Sequence, residues 1–357
     1  MTHPTKVLII DDSRMTRYVL EEILSQDESI EVIGTASDPY EARDKVCTLS
    51  PDVITLDVEM PRMNGIDFLK KLLQHKPLPV VMISSYTKHN SELTIEALTL
   101  GAVDFITKPS KDPDIGLKRL SKEIIAKVKT AANAKVKLRR LSAYQTNDSS
   151  PRFPKDHFVV IGASTGGIRA IEYILRHVPP TISGLVITQH IPGKYVSSLT
   201  ERLDSVAAVR VKVAQHYGRI IPGMALVAPG GGHLCIRKDA QGYSVAVEKA
   251  SSTDRYVPSI DFLFSSAASC AGKKAIGVLL TGMGQDGVQG MLALKQCGAH
   301  TIAQDRETSL VFGMPRAAIE LNAATEIASL EQIPKTIVAK LLSIKSVAGP
   351  YDENFTC

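Results

Sequence analysis

The chain has 357 residues, 44% of them hydrophobic and 22% charged, with a net charge of +5; that length accommodates two domains of ordinary size, each with its own core. The mild positive balance is far from the clustered basicity of a dedicated nucleic-acid binder, and no window approaches the roughly 18 continuous apolar residues of a membrane span. Five scattered cysteines (Cys47, Cys235, Cys270, Cys297 and Cys357) without CxxC spacing suggest neither a disulfide framework nor a zinc knuckle.

The N-terminus MTHPTKVLII enters a strand-like run with no cleavable apolar core, so a cytoplasmic monomer with reduced thiols is the expectation. Short apolar runs then alternate with amphipathic segments: KVLII, MTRYVLEEILSQ, EVIGTAS, PYEARDKVCTL, PDVITLD, GIDFLKKLLQH, LPVVMISS, SELTIEALTLG and VDFITKP. This rhythm predicts a parallel sheet with helices on both faces. It ends near residue 130. From Ala126 to Asn147 there are six basic residues and no acid, followed by the polar QTNDSSPRFP, which reads as a linker whose first half prolongs a helix. The α/β rhythm returns with HFVVIGAS, GIRAIEYILRH, GLVITQH, KYVSSLTERLDS, IDFLFSSAASCAG, KKAIGVLLTGMG and DGVQGMLALKQCGA, while the stretch from Met224 to Ala250 has the pattern of a hairpin. The expected division is a first domain over 1–128, a linker over 129–153, a second domain over 154–347 with a mostly parallel sheet and an antiparallel hairpin, and a loose tail over 348–357.

In the first domain, Asp11 and Asp12 follow KVLII, Asp57 follows VITL, Ser84 follows VVMI, and Lys108 follows VDFIT. The carboxyl ends of parallel strands share one edge, so these side chains can converge on one pocket. Three close carboxylates call for a hard divalent cation such as magnesium, and a lysine beside them offers a counter-charge to an incoming anion. Asp57 is then the nucleophile toward a phosphoryl donor. Any single aspartate after a strand is more often a cap or turn residue; the set of five is what argues for a site. In its DDS, LDVEMPRMNG, ISS and KP motifs, the segment from residue 5 to about 128 resembles a response-regulator receiver domain. The resemblance implies a flavodoxin-like fold, phosphorylation of Asp57 by a histidine kinase, and magnesium held by Asp11, Asp12, Asp57 and the Glu59 carbonyl. It also implies signalling through Ser84 and an aromatic switch at Phe105.

In the second domain, VVIGASTGGIRA lacks the middle glycine of a dinucleotide fingerprint and the GK[ST] ending of a P-loop. GASTG fits GxSxG, where a strand turns sharply into a helix and leaves Ser164 exposed, although five residues alone do not separate a nucleophile from a plain bend. A serine nucleophile needs a base and an orienting carboxylate. His190, ending GLVITQH, is better placed than His233 in APGGGHL, and His157 lies at the wrong end of its strand. Asp286 in LLTGMGQDG is better placed than Asp261 or Asp305, although it also suits a helix N-cap.

The motifs IGASTGG, TQHIP, APGGGHL, PSIDFLFSSAA and LLTGMGQDG, spread from residue 155 to about 345, resemble the CheB-type chemotaxis protein-glutamate methylesterases. The resemblance implies a Ser164 nucleophile, a His190 base and an orienting Asp286, acting on glutamate γ-methyl esters and glutamine side chains of methyl-accepting chemotaxis receptors, with no cofactor in this domain. The amides of Thr165 and Met283 are the expected oxyanion donors. Receiver gating of the serine site is expected. A DNA-binding output is disfavoured by the absence of a compact helix-turn-helix pattern with a basic recognition helix.

Overall fold

The computed structural model describes residues 3–109, 113–136 and 152–344. Most of the expected linker and the tail over 348–357 lie outside the described residues. The first sheet is built from β1 (Thr5–Ile10), α1 (Arg14–Leu24), β2 (Ile30–Ala36), α2 (Pro39–Leu49), β3 (Val53–Asp57), α3 (Gly65–His75), β4 (Val80–Ser85), α4 (Lys88–Leu100), β5 (Asp104–Lys108), α5 (Pro113–Arg119) and α6 (Ser121–Ala132). Its order is β2-β1-β3-β4-β5, parallel throughout. Ser13, Asp38, Asn64 and Thr87 cap four of the helices, their side-chain oxygens accepting first-turn backbone N–H groups that have no partner within the helix. β3 is buried along its whole length, as a central parallel strand covered by helices on both faces must be. Helix α6 covers the first residues of the stretch read as linker.

The second half follows with β6 (Phe158–Ala163), α7 (Gly167–His177), β7 (Gly184–Gln189), α8 (Val196–Val206), β8 (Arg210–Val213), β9 (Met224–Val227), β10 (Gly232–Asp239), β11 (Gly242–Lys249), α9 (Ile260–Ala271), β12 (Ala275–Leu279), α10 (Val288–Gln296), β13 (His300–Gln304), α11 (Met314–Glu320), β14 (Glu326–Ala328) and α12 (Ile333–Ser343). Seven strands in the order β14-β13-β12-β6-β7-β9-β8 form one parallel sheet. The hairpin expected over 224–250 divides: Met224–Val227 joins the large sheet between β7 and β8, and only β10 and β11 pair antiparallel. The apolar MALV runs parallel because the glycines that follow it break the strand before any return pairing can form.

Both sheets change direction at one point. The chain leaves β6 toward β7 on one side and later returns to β12 on the other, and it leaves β1 toward β2 before crossing to β3. Crevices open there at the carboxyl ends of the strands, where ligands bind in open α/β sheets. Ser164, His190 and Asp286 follow β6, β7 and β12; Asp11 and Asp12 follow β1, and Asp57 ends β3.

Candidate active site

The turn after β6 owes its shape to its glycines. Gly166 sits at φ 78° with Leu310 so close that a Cβ would lie 2.7 Å from it, and a Cβ on Gly282 would lie 2.6 Å from that of Ser164. Ser164 therefore lies directly against the turn that follows β12. Its amide donates to the Thr281 carbonyl at 3.1 Å, and its own carbonyl accepts from Gly167 N at 2.7 Å and from Gln189 Nε2 at 3.0 Å.

Ser164 Oγ lies 3.2 Å from His190 Nδ1, and His190 Nε2 lies 2.7 Å from Asp286 Oδ2. Asp286 does not cap its own helix; Gly287 stands at that position. Instead it sits against the N-terminus of α9: Oδ2 accepts from Ile260 N at 2.7 Å, and Oδ1 accepts from Asp261 N at 3.1 Å and from Ser259 Oγ at 2.9 Å. Burial raises the Asp286 carboxyl, but the His190 hydrogen bond and the Ile260 and Asp261 amides outweigh it and hold the group below its ordinary value. An ionised carboxylate anchored on a helix N-terminus fixes the imidazole with Nε2–H toward itself and leaves Nδ1 as an acceptor facing the hydroxyl. The Tyr256 ring stacks on His190, centroids 4.8 Å apart and planes 3° from parallel.

His233 does not face the serine. Its Nε2 meets Asp254 Oδ2 at 2.9 Å and its Nδ1 accepts from Ser259 N at 3.1 Å. His157 pairs with Asp156, Asp261 accepts from Gly290 N, and Asp305 caps its own turn at Thr308. Among the described residues, the Thr165 and Met283 amides have no protein acceptor. Gln189, Tyr256, Ser259 and Thr281 were not singled out from sequence. Ser259, directly before an apolar helical run, carried an N-cap signal; the others carried none.

The cleft at Ser164 measures about 780 Å³ and is walled partly by the first domain, through Asp104, Phe105, Lys127 and Thr130. Asp104 Oδ2 accepts from Thr165 Oγ1 at 2.7 Å, Thr130 Oγ1 donates to Met283 Sδ at 2.8 Å, and Thr107 Oγ1 lies 3.0 Å from the Tyr195 hydroxyl. Phe105 meets Tyr195 edge to face at 4.7 Å.

In the first domain, carboxylate oxygens of Asp11, Asp12 and Asp57 lie within 4.8 Å of one another. Lys108 Nζ is 2.8 Å from Asp11 and 2.6 Å from Asp57. Burial, opposed by Lys108 and reinforced by Asp11, pushes the Asp57 carboxyl up to about 7. One lysine does not offset the clustered acids, and an all-oxygen donor set of this size suits a hard divalent cation. Ser84 is buried, its hydroxyl donating to the Ser85 carbonyl. Glu59 N donates to Asp57 Oδ1.

The raised Asp57 value has a measurable consequence. The folded chain binds this proton more tightly than the unfolded chain, so the associated stability is present below 3.8 and is lost as the pH rises through about 7. In the presence of a chelator, Asp57→Asn is expected to melt at a higher temperature than the wild type at pH 8, with a gap that shrinks toward about pH 5. Coincident melting curves at pH 8 would contradict this.

Residues 159–337 match the CheB methylesterase family model, and residues 7–142 match the response regulator receiver domain. The protein-glutamate methylesterase/protein-glutamine glutaminase of Nitrosomonas europaea is 45% identical over 346 residues, covering 94% of this chain and 96% of the relative. The enzyme of that name numbered 1 in Geobacter metallireducens is 43% identical over 353 residues, covering 96% and 97%. The crystal structure of the Thermotoga maritima CheB methylesterase catalytic domain shares 35% identity at a TM-score of 0.50, covering 52% of this chain and 98% of that one. With the fold, the paired domains and these relatives in agreement, the chain belongs to the CheB methylesterase family, its hydrolase half preceded by a response regulator receiver domain.

Proposed function

We propose that this chain is a phosphorylation-regulated serine hydrolase that cleaves glutamate γ-methyl esters on chemoreceptors, releasing methanol, and deamidates receptor glutamines. The observation that carries the reading is the unbroken run of contacts from Ser164 through His190 to an Asp286 anchored on α9. Ser164 Oγ attacks the γ-carbonyl while His190 Nδ1 takes its proton. The imidazolium that forms is held by Asp286, and the oxyanion by the Thr165 and Met283 amides. Nδ1–H then protonates the departing group, which leaves as methanol from an ester or as ammonia from a glutamine amide. Water, deprotonated by the same nitrogen, cleaves the acyl-enzyme and returns Ser164.

In the receiver, Asp57 accepts a phosphoryl group from a histidine kinase. Asp11, Asp12, Asp57 and the Glu59 carbonyl would hold magnesium, whose charge offsets that of the phosphoryl oxygens, and Lys108 adds a second positive charge. Phosphorylation reaches the hydrolase through Ser84 and β5, where Asp104, Phe105 and Thr107 all touch the other domain. The basic composition, +5 overall, suits an acidic helical receptor segment in the cytoplasm. No helix among the described residues is long and apolar enough to cross a membrane.

The Asp104–Thr165 contact closes the cleft beside the nucleophile. A hydrogen bond to a charged group contributes about 1.5–3 kcal/mol. Asp104→Ala is therefore expected to raise methanol release from methyl-labelled receptor membranes about tenfold in the unphosphorylated chain, and residues 150–357 alone are expected to exceed the full chain. Phosphorylated wild type should approach the same rate. Equal rates for all forms would exclude gating by covering; absence of methanol release from every form would exclude the activity.

A further inference from the structure

His233 is buried and lies outside the cleft, yet it sits one hydrogen bond from the element that holds Asp286. Its ring is clamped on three sides. Phe262 stacks on it with centroids 4.6 Å apart and planes 17° from parallel. Asp254 Oδ2 lies 2.9 Å from Nε2, and the same oxygen accepts from Ser251 N at 2.6 Å. Because Nδ1 accepts the Ser259 N–H, the ring carries its proton on Nε2, directed at Asp254. Ser259 is the N-cap of α9: its hydroxyl donates to Asp286 Oδ1 and accepts from Phe262 N. The backbone N–H of a cap residue points away from the helix it caps, so it needs a partner outside the helix, and His233 is that partner.

We infer that His233 is a positioning residue for the hydrolase reaction: by accepting the Ser259 N–H it fixes the N-terminus of α9, and with it the three donors that aim Asp286 at His190. The inference rests on the assignment of His190 as base and Asp286 as its orienting carboxylate. Asp286 Oδ1 takes Ser259 Oγ and Asp261 N, while Oδ2 takes Ile260 N and His190. Every one of those protein donors except His190 belongs to residues 259–261. A rotation of that segment therefore moves the carboxylate relative to the imidazole, and a displacement of about 1 Å in such an array can lower a rate by about 100-fold. The effect falls on the chemical step because His233 does not line the cleft, and its hydrogen bonds run to Asp254 and Ser259 rather than to Ser164.

The test compares three variants of the full chain by kcat and KM for methanol release from methyl-labelled receptor membranes. His233→Phe keeps the stack on Phe262 and removes the acceptor, and kcat is expected to fall about 100-fold with KM unchanged. His233→Asn places Oδ1 near the position of Nδ1 and is expected to restore kcat to within a few-fold of wild type, whereas His233→Gln, which reaches toward Asp254 instead, stays low. The downfield proton resonance of the His190–Asp286 hydrogen bond should shift or broaden in His233→Phe and return in His233→Asn. Should His233→Phe not fold, Asp254→Ala on the exposed loop is expected to lower kcat about tenfold with KM unchanged. Wild-type kcat in His233→Phe or in Asp254→Ala overturns the inference, as does an equal fall in kcat for the Phe and Asn variants. If Asp286→Asn itself keeps wild-type kcat, the underlying assignment fails instead, and the two failures are told apart.

Discussion

Ser164→Ala is expected to remove nearly all turnover, on the order of a millionfold in kcat, by analogy with loss of the nucleophile in other serine hydrolases. At about 1.36 kcal/mol per decade, this corresponds to about 8 kcal/mol of transition-state stabilisation. The hydroxyl is placed to form the acyl-enzyme: it lies 3.2 Å from His190 Nδ1, at the tip of the strand-to-helix turn after β6. Its deletion leaves the fold intact, since the serine is held by its backbone through Thr281 O, Gly167 N and Gln189 Nε2. Residual activity of roughly a thousandfold over water should persist through binding and the oxyanion amides. Methanol release measured beside a thermal melt checks both halves. A variant that melts normally and turns over within tenfold of wild type would remove Ser164 from the reaction.

The second large effect is expected at Asp286→Asn, about ten-thousandfold in kcat. The carboxylate accepts four hydrogen bonds, two on each oxygen, and an amide offers one accepting oxygen and one donating nitrogen. If the oxygen stays with Ser259 and Asp261, the amide N–H faces His190 Nε2 and drives the imidazole into the tautomer with its proton on Nδ1. That proton then points at Ser164, and the base is lost. If the oxygen stays with His190 and Ile260, the Asp261 N–H loses its acceptor. Either way a negative charge leaves the N-terminus of α9, so the melting temperature should fall as well. An asparagine variant with wild-type melting and a rate within tenfold would show that the imidazole needs no orienting charge.

Much of the receiver pocket was legible from residue type and position. Asp11 and Asp12 follow β1, and Asp57, Ser84 and Lys108 stand at the carboxyl ends of β3, β4 and β5; the periodicity of these strands is clear, and a parallel sheet puts every such end on one edge. The same rule brought Ser164, His190 and Asp286 together. Among the elements it missed, β8, β14 and α11 have seven residues or fewer, too few for a period to register. The hairpin was drawn too long because MALV reads as a strand whichever sheet it joins.

The sequence by itself determined the two α/β units and put the acids of the first at one sheet edge, because local periodicity and strand polarity carry that information; in the second it narrowed the site to a few strand-end candidates, among which the family resemblance implied Ser164, His190 and Asp286. The tertiary structure showed what separates His190 from His233: the first ring lies between Ser164 and Asp286, the second between Asp254 and Ser259. It alone placed Asp286 on α9 rather than on the helix that follows it, and it alone set Asp104 against Thr165 across two domains. These are contacts between residues 26 and 61 positions apart, and nothing in a local pattern specifies which distant hydrogen-bond donor a carboxylate will find.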